Sequence, residues 1–455
     1  MNGLMRWAAS AVLVLSGAVP ATAQRVALPQ LSGPNPVTAQ SGESYRGSNE
    51  QPVAGPGLPM PDLERVGYVQ EEYIVSGTVD GRPYRTSLLV RKPRDMKRFS
   101  GLVGVETIHA AGAIPFWGTG REVWAPGGHG WVAVASQRAA LEDRVKKFNP
   151  TRYAALFVPE APAGANGMAP SPQDRISQAI MTQVGALLKS SPANGPFAGA
   201  RVRYLLMGGS SQTGGTTLRY IEQSHASARL PNGKPIYDGY LPMEAFSTTR
   251  IAGGDAAVIH AVGEGDFALF HVDDPTIKYS IREDADAPND RFREYEFAAA
   301  SHVPTRGRTT NDRPGEYPSQ FPTPPFYKMA LLHLVDWVTK GTTPPRAPRL
   351  EQTAAGEMVR DEYGNVKGGI RSPWVDVPVA HIIASPPIPP GKPHARAQQG
   401  IQENFPPARL AQLYGTREAY LRKFDSSIDG LVAGRWITKA DGEKLKVEEA
   451  AKPPF

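Results

Sequence analysis

The stretch Leu205-Leu206-Met207-Gly208-Gly209-Ser210-Ser211-Gln212-Thr213-Gly214-Gly215 is where residue types and spacing speak most directly of chemistry. An apolar run ends in small residues around a serine, and a helical stretch follows. A serine held on a sharp strand-to-helix turn needs small neighbours two positions before and two after it, because backbone there approaches backbone. Ser211 has Gly209 and Thr213 at those positions, with Gly214 and Gly215 next. Ser210 would have Gly208 and the larger Gln212, so Ser211 is the expected nucleophile. Such a turn also aims the N–H of Gln212 at a developing oxyanion. Gly/Ser-rich turns are common after strands, and the strand-turn-helix context is what marks this one.

A serine hydroxyl attacks a carbonyl only when a base takes its proton, and that base must be oriented by an acid. On sheets that carry this kind of turn the chain order is serine, acid, histidine. Downstream lie His225, His260, His271, His302, His333, His381 and His394. His225 is expected in the helix after the turn, His260 inside a strand, and His333 within an apolar helix, where a satisfied core or surface histidine is expected. His302 follows Phe297-Ala298-Ala299-Ala300-Ser301, whose small residues permit a close turn at the carboxyl edge of a sheet. Open parallel sheets bind ligands along that edge, so His302 is the expected base. The strand Ala256 to Val262 ends in Gly263-Glu264-Gly265-Asp266, and position alone does not choose between the two carboxylates. A second oxyanion donor is expected from Thr107-Ile108-His109-Ala110-Ala111-Gly112, as the backbone N–H of Ala110 or Ala111. One such donor contributes about 3 kcal/mol to a transition state. Phe116, Trp117 and Trp124 beyond it either line a substrate pocket or anchor the core.

These residues need a scaffold. Glu72 to Val79 and Tyr84 to Val90 are β-rich runs separated by Asp80-Gly81, a hairpin signal. Leu102 to Glu106, Trp131 to Ala135 and Val202 to Met207 are short, nearly continuous apolar runs, as buried parallel strands require. Tyr237 to Leu241, Ala256 to Val262 and Arg293 to Phe297 add three more. Helices are predicted over Ile176 to Leu188, Thr216 to Ser224 and Phe326 to Thr339, with two more between Phe405 and Gly434. Strands alternating with helices imply a mostly parallel sheet covered on both faces. No internal repeat is present.

Composition narrows the class. The 455 residues are 40% hydrophobic and 21% charged, with 46 Gly and 44 Pro, which suits a globular chain rich in turns. The absence of cysteine excludes thiol nucleophiles, thiolate metal sites and disulfides. The formal charge of +6 is scattered among acids, so there is no nucleic-acid footprint. Arg6, the apolar run Ala8 to Val19 and Ala21-Thr22-Ala23 read as a secretory signal cleaved after Ala23, the run being too short to span a bilayer. The expected address is therefore periplasmic or secreted, with no membrane span once the signal is gone.

With these residues in place, the chain resembles a large bacterial family known as the alpha/beta hydrolase domain family, whose elbow reads G-x-S-Q-[ST]-G. Gly209-Ser210-Ser211-Gln212-Thr213-Gly214 fits it, as do Trp131 to Gln137, Phe148 to Tyr153, Phe292 to Glu296, Gly341 to Pro345 and Gly364 to Arg371. The resemblance runs from about Glu72 to Gly434. It implies an α/β-hydrolase fold and ester-type hydrolysis without implying a substrate; the expected triad would cleave a small-molecule ester through an acyl-enzyme and requires no cofactor or metal. The family carries T-E-T-D where this chain has Gly263-Glu264-Gly265-Asp266, which favours Glu264 as the acid and leaves Asp266 as the alternative. Two departures bear on substrate: His109-Ala110-Ala111 stands where relatives often show asparagine and glycines, and Gly215 where many carry arginine. The expected layout is a signal over 1–23, a disordered or extended leader over 24–61, the hydrolase domain over 62–345, and a loop-rich and helical extension over 346–455 packed on it. Other readings are a lactonase or amidase using the same triad, a metal-dependent hydrolase built on His271, Asp273 and Asp274, and a non-catalytic binding protein.

Overall fold

The computed structural model describes residues 26–35, 63–161, 172–246, 251, 253–273, 282–308, 316–388 and 397–452. The predicted signal and most of the predicted leader lie outside the described residues, as do the side chains of His271 and Asp273 and all of Asp274 and His394.

Ten strands form one sheet: β1 (Gln30–Asn35), β2 (Tyr68–Val79), β3 (Arg82–Pro93), β4 (Leu102–Thr107), β5 (Gly130–Val134), β6 (Tyr204–Ser210), β7 (Gly239–Met243), β8 (Ala257–Gly263), β9 (Ala285–Ala287) and β10 (Asp290–Phe297). Their order is β1-β2-β3-β5-β4-β6-β7-β8-β10-β9. The run β5-β4-β6-β7-β8-β10 is parallel, and antiparallel strands close both ends. This is the mostly parallel sheet of an α/β-hydrolase fold. Asp80 and Gly81 take φ of 50° and 74° and join β2 to β3 as the two-residue hairpin their types predict. Within the segment expected to be a disordered or extended leader, Gln30–Asn35 is extended and pairs with β2 as an edge strand.

The parallel strands β4, β5, β7 and β8 are buried at every position, the physical reason for their unbroken apolar sequences. Helices α1 (Pro115–Trp124) and α5 (Thr323–Lys340) pack together on one face, α2 (Pro172–Ser190) and α3 (Gln212–Gln223) on the other. Helix α4 (Glu264–Asp273) starts directly from the end of β8. Helices α6 (Pro407–Tyr414), α7 (Arg417–Ala433) and α8 (Lys439–Ala450) fill the carboxyl-terminal part. Helix α1 escaped prediction because Gly118, Gly120 and three large aromatics blur its period and lower its propensity. Its aromatics are core anchors: Phe116, Trp117 and Trp124 are buried, and the Trp124 ring lies over Gly104 of β4, where an added Cβ would sit 2.7 Å from it.

The last polar residue but one of β4 fastens this layer. Glu106 is fully buried, and its carboxylate accepts the N–H groups of Phe116 at 3.0 Å and Trp117 at 2.7 Å and the indole N–H of Trp131 at 2.8 Å. Two of these are the orphan donors of a helix start, which Ile114 at the cap position leaves uncapped. The Arg91 guanidinium stacks 4.4 Å from the Trp117 ring and 5.1 Å from the Trp131 ring. The region beyond residue 345 is stitched to the sheet: Ile370 donates to Glu296 O of β10 at 2.7 Å, and Trp436 packs edge-on against Tyr295.

Replacing Glu106 with alanine strands three buried donors at once. At about 1–3 kcal/mol for each unsatisfied group, the Glu106→Ala protein should lose at least about 3 kcal/mol. A urea midpoint matching that of the wild-type chain would contradict this role.

Candidate active site

Three sheet ends meet at one rim. β6 delivers Ser211, β8 and the first turn of α4 deliver Asp266, and the loop after β10 delivers His302. Ser211 takes φ 55° and ψ −124°, a region that a residue with a side chain rarely enters and that costs about 1–3 kcal/mol. The surroundings hold it there. Its N–H donates to Met243 O at 3.0 Å, and the Thr213 hydroxyl accepts from Ser210 N at 3.0 Å and donates to Ser210 O at 2.9 Å. A Cβ at Gly209 would lie 2.6 Å from the Thr213 carbonyl, and one at Gly214 would lie 2.1 Å from Met243 O. Thr213 is therefore no defect in the elbow: its side chain clamps the turn, and the place that tolerates only glycine moves one residue on, to Gly214.

His302 Nε2 stands 2.9 Å from Ser211 Oγ, and His302 Nδ1 stands 2.6 Å from Asp266 Oδ1. Asp266 is wholly buried, and its other oxygen accepts the Gly263 N–H at 2.7 Å. Burial alone would lower the proton affinity of His302, but the hydrogen bond and charge of Asp266, with a smaller push from Glu244, leave it raised above the usual histidine value.

Glu264, the carboxylate favoured by the resemblance, does not reach His302. Its oxygens accept from the Ala299 N–H at 2.9 Å and from Arg360 at 3.1 Å. Successive helical residues turn by 100°, so two residues apart on α4 the side chains diverge by about 200°. Asp266 faces the imidazole, and Glu264 faces the loop that carries it. Ala299 in that loop has φ 67°, so the Glu264 bond steadies a left-handed residue three positions before His302.

The two predicted second donors differ. The Ala111 N–H is taken by His109 Nδ1 at 2.9 Å, whereas the Ala110 N–H points loosely at Gln212 Oε1, 3.4 Å away. Gln212 stands at the first position of α3, where backbone N–H groups have no intrahelical acceptor. Its side-chain amide forms a reciprocal pair with that of Gln137, and Gln137 also donates to Ile108 O at 3.1 Å. The Arg144 Nε donates to Ala110 O at 3.1 Å. Burial, with the nearby charges of His302 and Arg144, pushes His109 down to about 4, so it is a neutral acceptor for the loop.

The remaining described histidines are otherwise engaged: His260 lies in β8 and His333 in α5 as expected, whereas His225 falls in the turn just past the end of α3 rather than within it. His225 bonds Tyr240 and Asp255, His260 bonds Ala245 O, and His333 meets Tyr295 Oη at 3.0 Å. Among the described residues no group of three or more His, Cys, Asp or Glu is arranged to hold a metal ion, and no helix is long and apolar enough to cross a membrane. Sequence reasoning missed Glu244, Gln137 and Arg144. Glu244 was discoverable, since it follows the apolar run of β7 as Asp266 follows that of β8; Gln137 and Arg144 reach the site only through folded geometry.

The model of the family described as alpha/beta hydrolase domain matches residues 31–447. Among solved structures, the chain is similar to a Klebsiella pneumoniae protein assigned as a dienelactone hydrolase, at 13% identity and a TM-score of 0.35, over 60% of this chain and 99% of that one. It is similar to LpqC, a poly(3-hydroxybutyrate) depolymerase from Bordetella parapertussis, at 10% identity and a TM-score of 0.32, over 60% and 91%. A bacterial brefeldin A esterase matches at 14% identity and a TM-score of 0.25, over 42% and 44%. No curated protein matches.

The contact pattern separates the two carboxylates. A proton held between His302 and Asp266 at 2.6 Å should give a strongly low-field NMR resonance. It should vanish in Asp266→Asn and survive in Glu264→Gln; loss in the second variant instead would reverse the assignment.

Proposed function

Since the chain belongs to the alpha/beta hydrolase domain family, we propose that it is a serine hydrolase that cleaves a carboxylic ester of a small molecule through an acyl-enzyme. The observation that supports this most is the continuous line of hydrogen bonds from Ser211 Oγ through His302 to Asp266, set beneath a strained turn. In this reading His302 Nε2 takes the Ser211 proton as Oγ bonds to the ester carbonyl carbon. Asp266 fixes the ring so that Nδ1 carries the hydrogen and Nε2 is free to accept, and it balances the charge of the resulting imidazolium. The carbonyl oxygen, now negative, is met by the N–H of Gln212 and by that of Ala110 once it lets go of the Gln212 side chain. The imidazolium passes its proton to the departing alcohol, water repeats the attack, and the acid leaves.

The resting site already places a base and a nucleophile within bonding distance, which a binding protein on the same scaffold would not need. The amino-terminal pattern of Arg6, Ala8 to Val19 and Ala21-Thr22-Ala23 supports export, so the substrate would be met outside the cytoplasm.

A fluorescent alkyl phosphonate should label the purified chain. Ser211→Ala should abolish labelling, and His302→Ala should slow it by about 10³-fold or more, as members of a unit do. Labelling that persists in Ser211→Ala would sink the proposal. The base works only when unprotonated and its proton affinity is raised, so kcat/KM for α-naphthyl acetate should fall on the acid side with a midpoint above the ordinary histidine value of about 6.5.

A further inference from the structure

A second carboxyl sits at the same rim with no part in the triad. β7 ends at Met243, and Glu244 follows with φ 52°, a left-handed backbone unusual for a residue with a side chain. The Glu244 N–H donates to Ala261 O of β8 at 2.9 Å, while the carbonyl just before it accepts the Ser211 N–H. The residue is thus wedged between the elbow and the strand that leads to Asp266. Its carboxylate accepts the hydroxyl of Ser210, the immediate neighbour of the nucleophile.

The groups that face it come from every element around it: Ser210 from the elbow, Asp266 from α4, His302 from the loop after β10, and Tyr327 from α5. The Tyr327 hydroxyl is buried without a hydrogen-bond partner, and both Glu244 and Asp266 act on it electrostatically. Burial pushes the Glu244 carboxyl up to about 7, helped by the Asp266 charge and opposed by His302 and by the Ser210 bond. Glu244 in turn adds to the proton affinity of His302.

We propose that Glu244 is a second acid of this site, a positioning residue that holds the elbow through Ser210 and shares with Asp266 the balancing of charge on His302. This rests on the reading of Ser211 and His302 as nucleophile and base. No additional reactant enters: the proton still moves from Ser211 to His302 and on to the alcohol, and Glu244 stays an onlooking charge. Two carboxyls around one imidazole titrate as a coupled set, so the protonation of the base is spread over more than one step.

The test compares Glu244→Gln, Ser210→Ala, Asp266→Asn and the Glu244→Gln/Asp266→Asn pair, each first labelled with the phosphonate to show an intact Ser211. Glu244→Gln removes a charge that favours protonated His302, so the acid limb of kcat/KM should move down by about one pH unit. Ser210→Ala removes the hydrogen bond but keeps the carboxyl, so the limb should shift by much less than in Glu244→Gln. In the Asp266→Asn background, Glu244→Gln should cost at least about tenfold more turnover than it costs alone, because the reserve carboxyl is then the sole support. A wild-type limb in Glu244→Gln, or the same fold-loss in both backgrounds, overturns the proposal. Should Glu244→Gln not fold, the unaltered chain decides: its His302 ring resonances should titrate more broadly than a single site, and a one-site curve overturns it. Failure of the wild-type chain to take the phosphonate at Ser211 would instead strike the underlying hydrolase reading.

Discussion

The left-handed backbone at Ser211 is the constraint around which the rest is arranged. Left alone, that residue would relax into the helix that follows or the strand that precedes it. It is kept by a carbonyl from the neighbouring strand, by a threonine folded back over the turn, and by two glycines at points where a methyl group would collide with backbone. Gln212 opens α3 directly after this turn, so its N–H is among the donors left without an intrahelical acceptor. In the proposed reading, one local distortion would thus supply both the attacking atom and part of the cradle for the charge it creates.

His302 reaches that hydroxyl by a different route. The loop from Phe297 to His302 is made of small residues, passes through the left-handed Ala299, and is pinned from below by Glu264 and from the side by Ile370. The acid comes from a helix that begins without any connecting loop, which sets its direction by helical geometry alone. Rigid elements therefore carry serine and acid, while the histidine rides on a short tether whose shape is imposed by its neighbours.

Much of this was legible in the amino-acid order because burial leaves strong marks. The parallel strands show as unbroken apolar runs, the hairpin shows as Asp80-Gly81, and the elbow shows as a knot of small residues at the end of β6. His302 stands out because, of the described histidines after the elbow, His260, His333 and His381 fall within strands or helices and His225 is held by Tyr240 and Asp255. The choice between Glu264 and Asp266 was not legible, because both lie in the first turn of one helix and only their angular separation distinguishes them. Resemblance points to Glu264, the member of the pair that does not reach His302, because a motif records which residues occur and not which way each one turns. Helix α1 was hidden by its glycines, and the Gln137–Gln212 pair joins residues 75 positions apart, beyond any local pattern.

The lashing of the carboxyl-terminal region to the sheet carries a consequence for how the chain can change. Arg360 grips the carboxylate that steadies Ala299, and residue 370 extends the last parallel strand next to the histidine's tether. Alterations to the tail at these points would therefore bear on the loop that carries His302. The tail and the sheet end near His302 are thus one structural unit rather than two separable modules. Whatever diversity arises in that region must be compatible with a histidine tens of residues upstream keeping its aim.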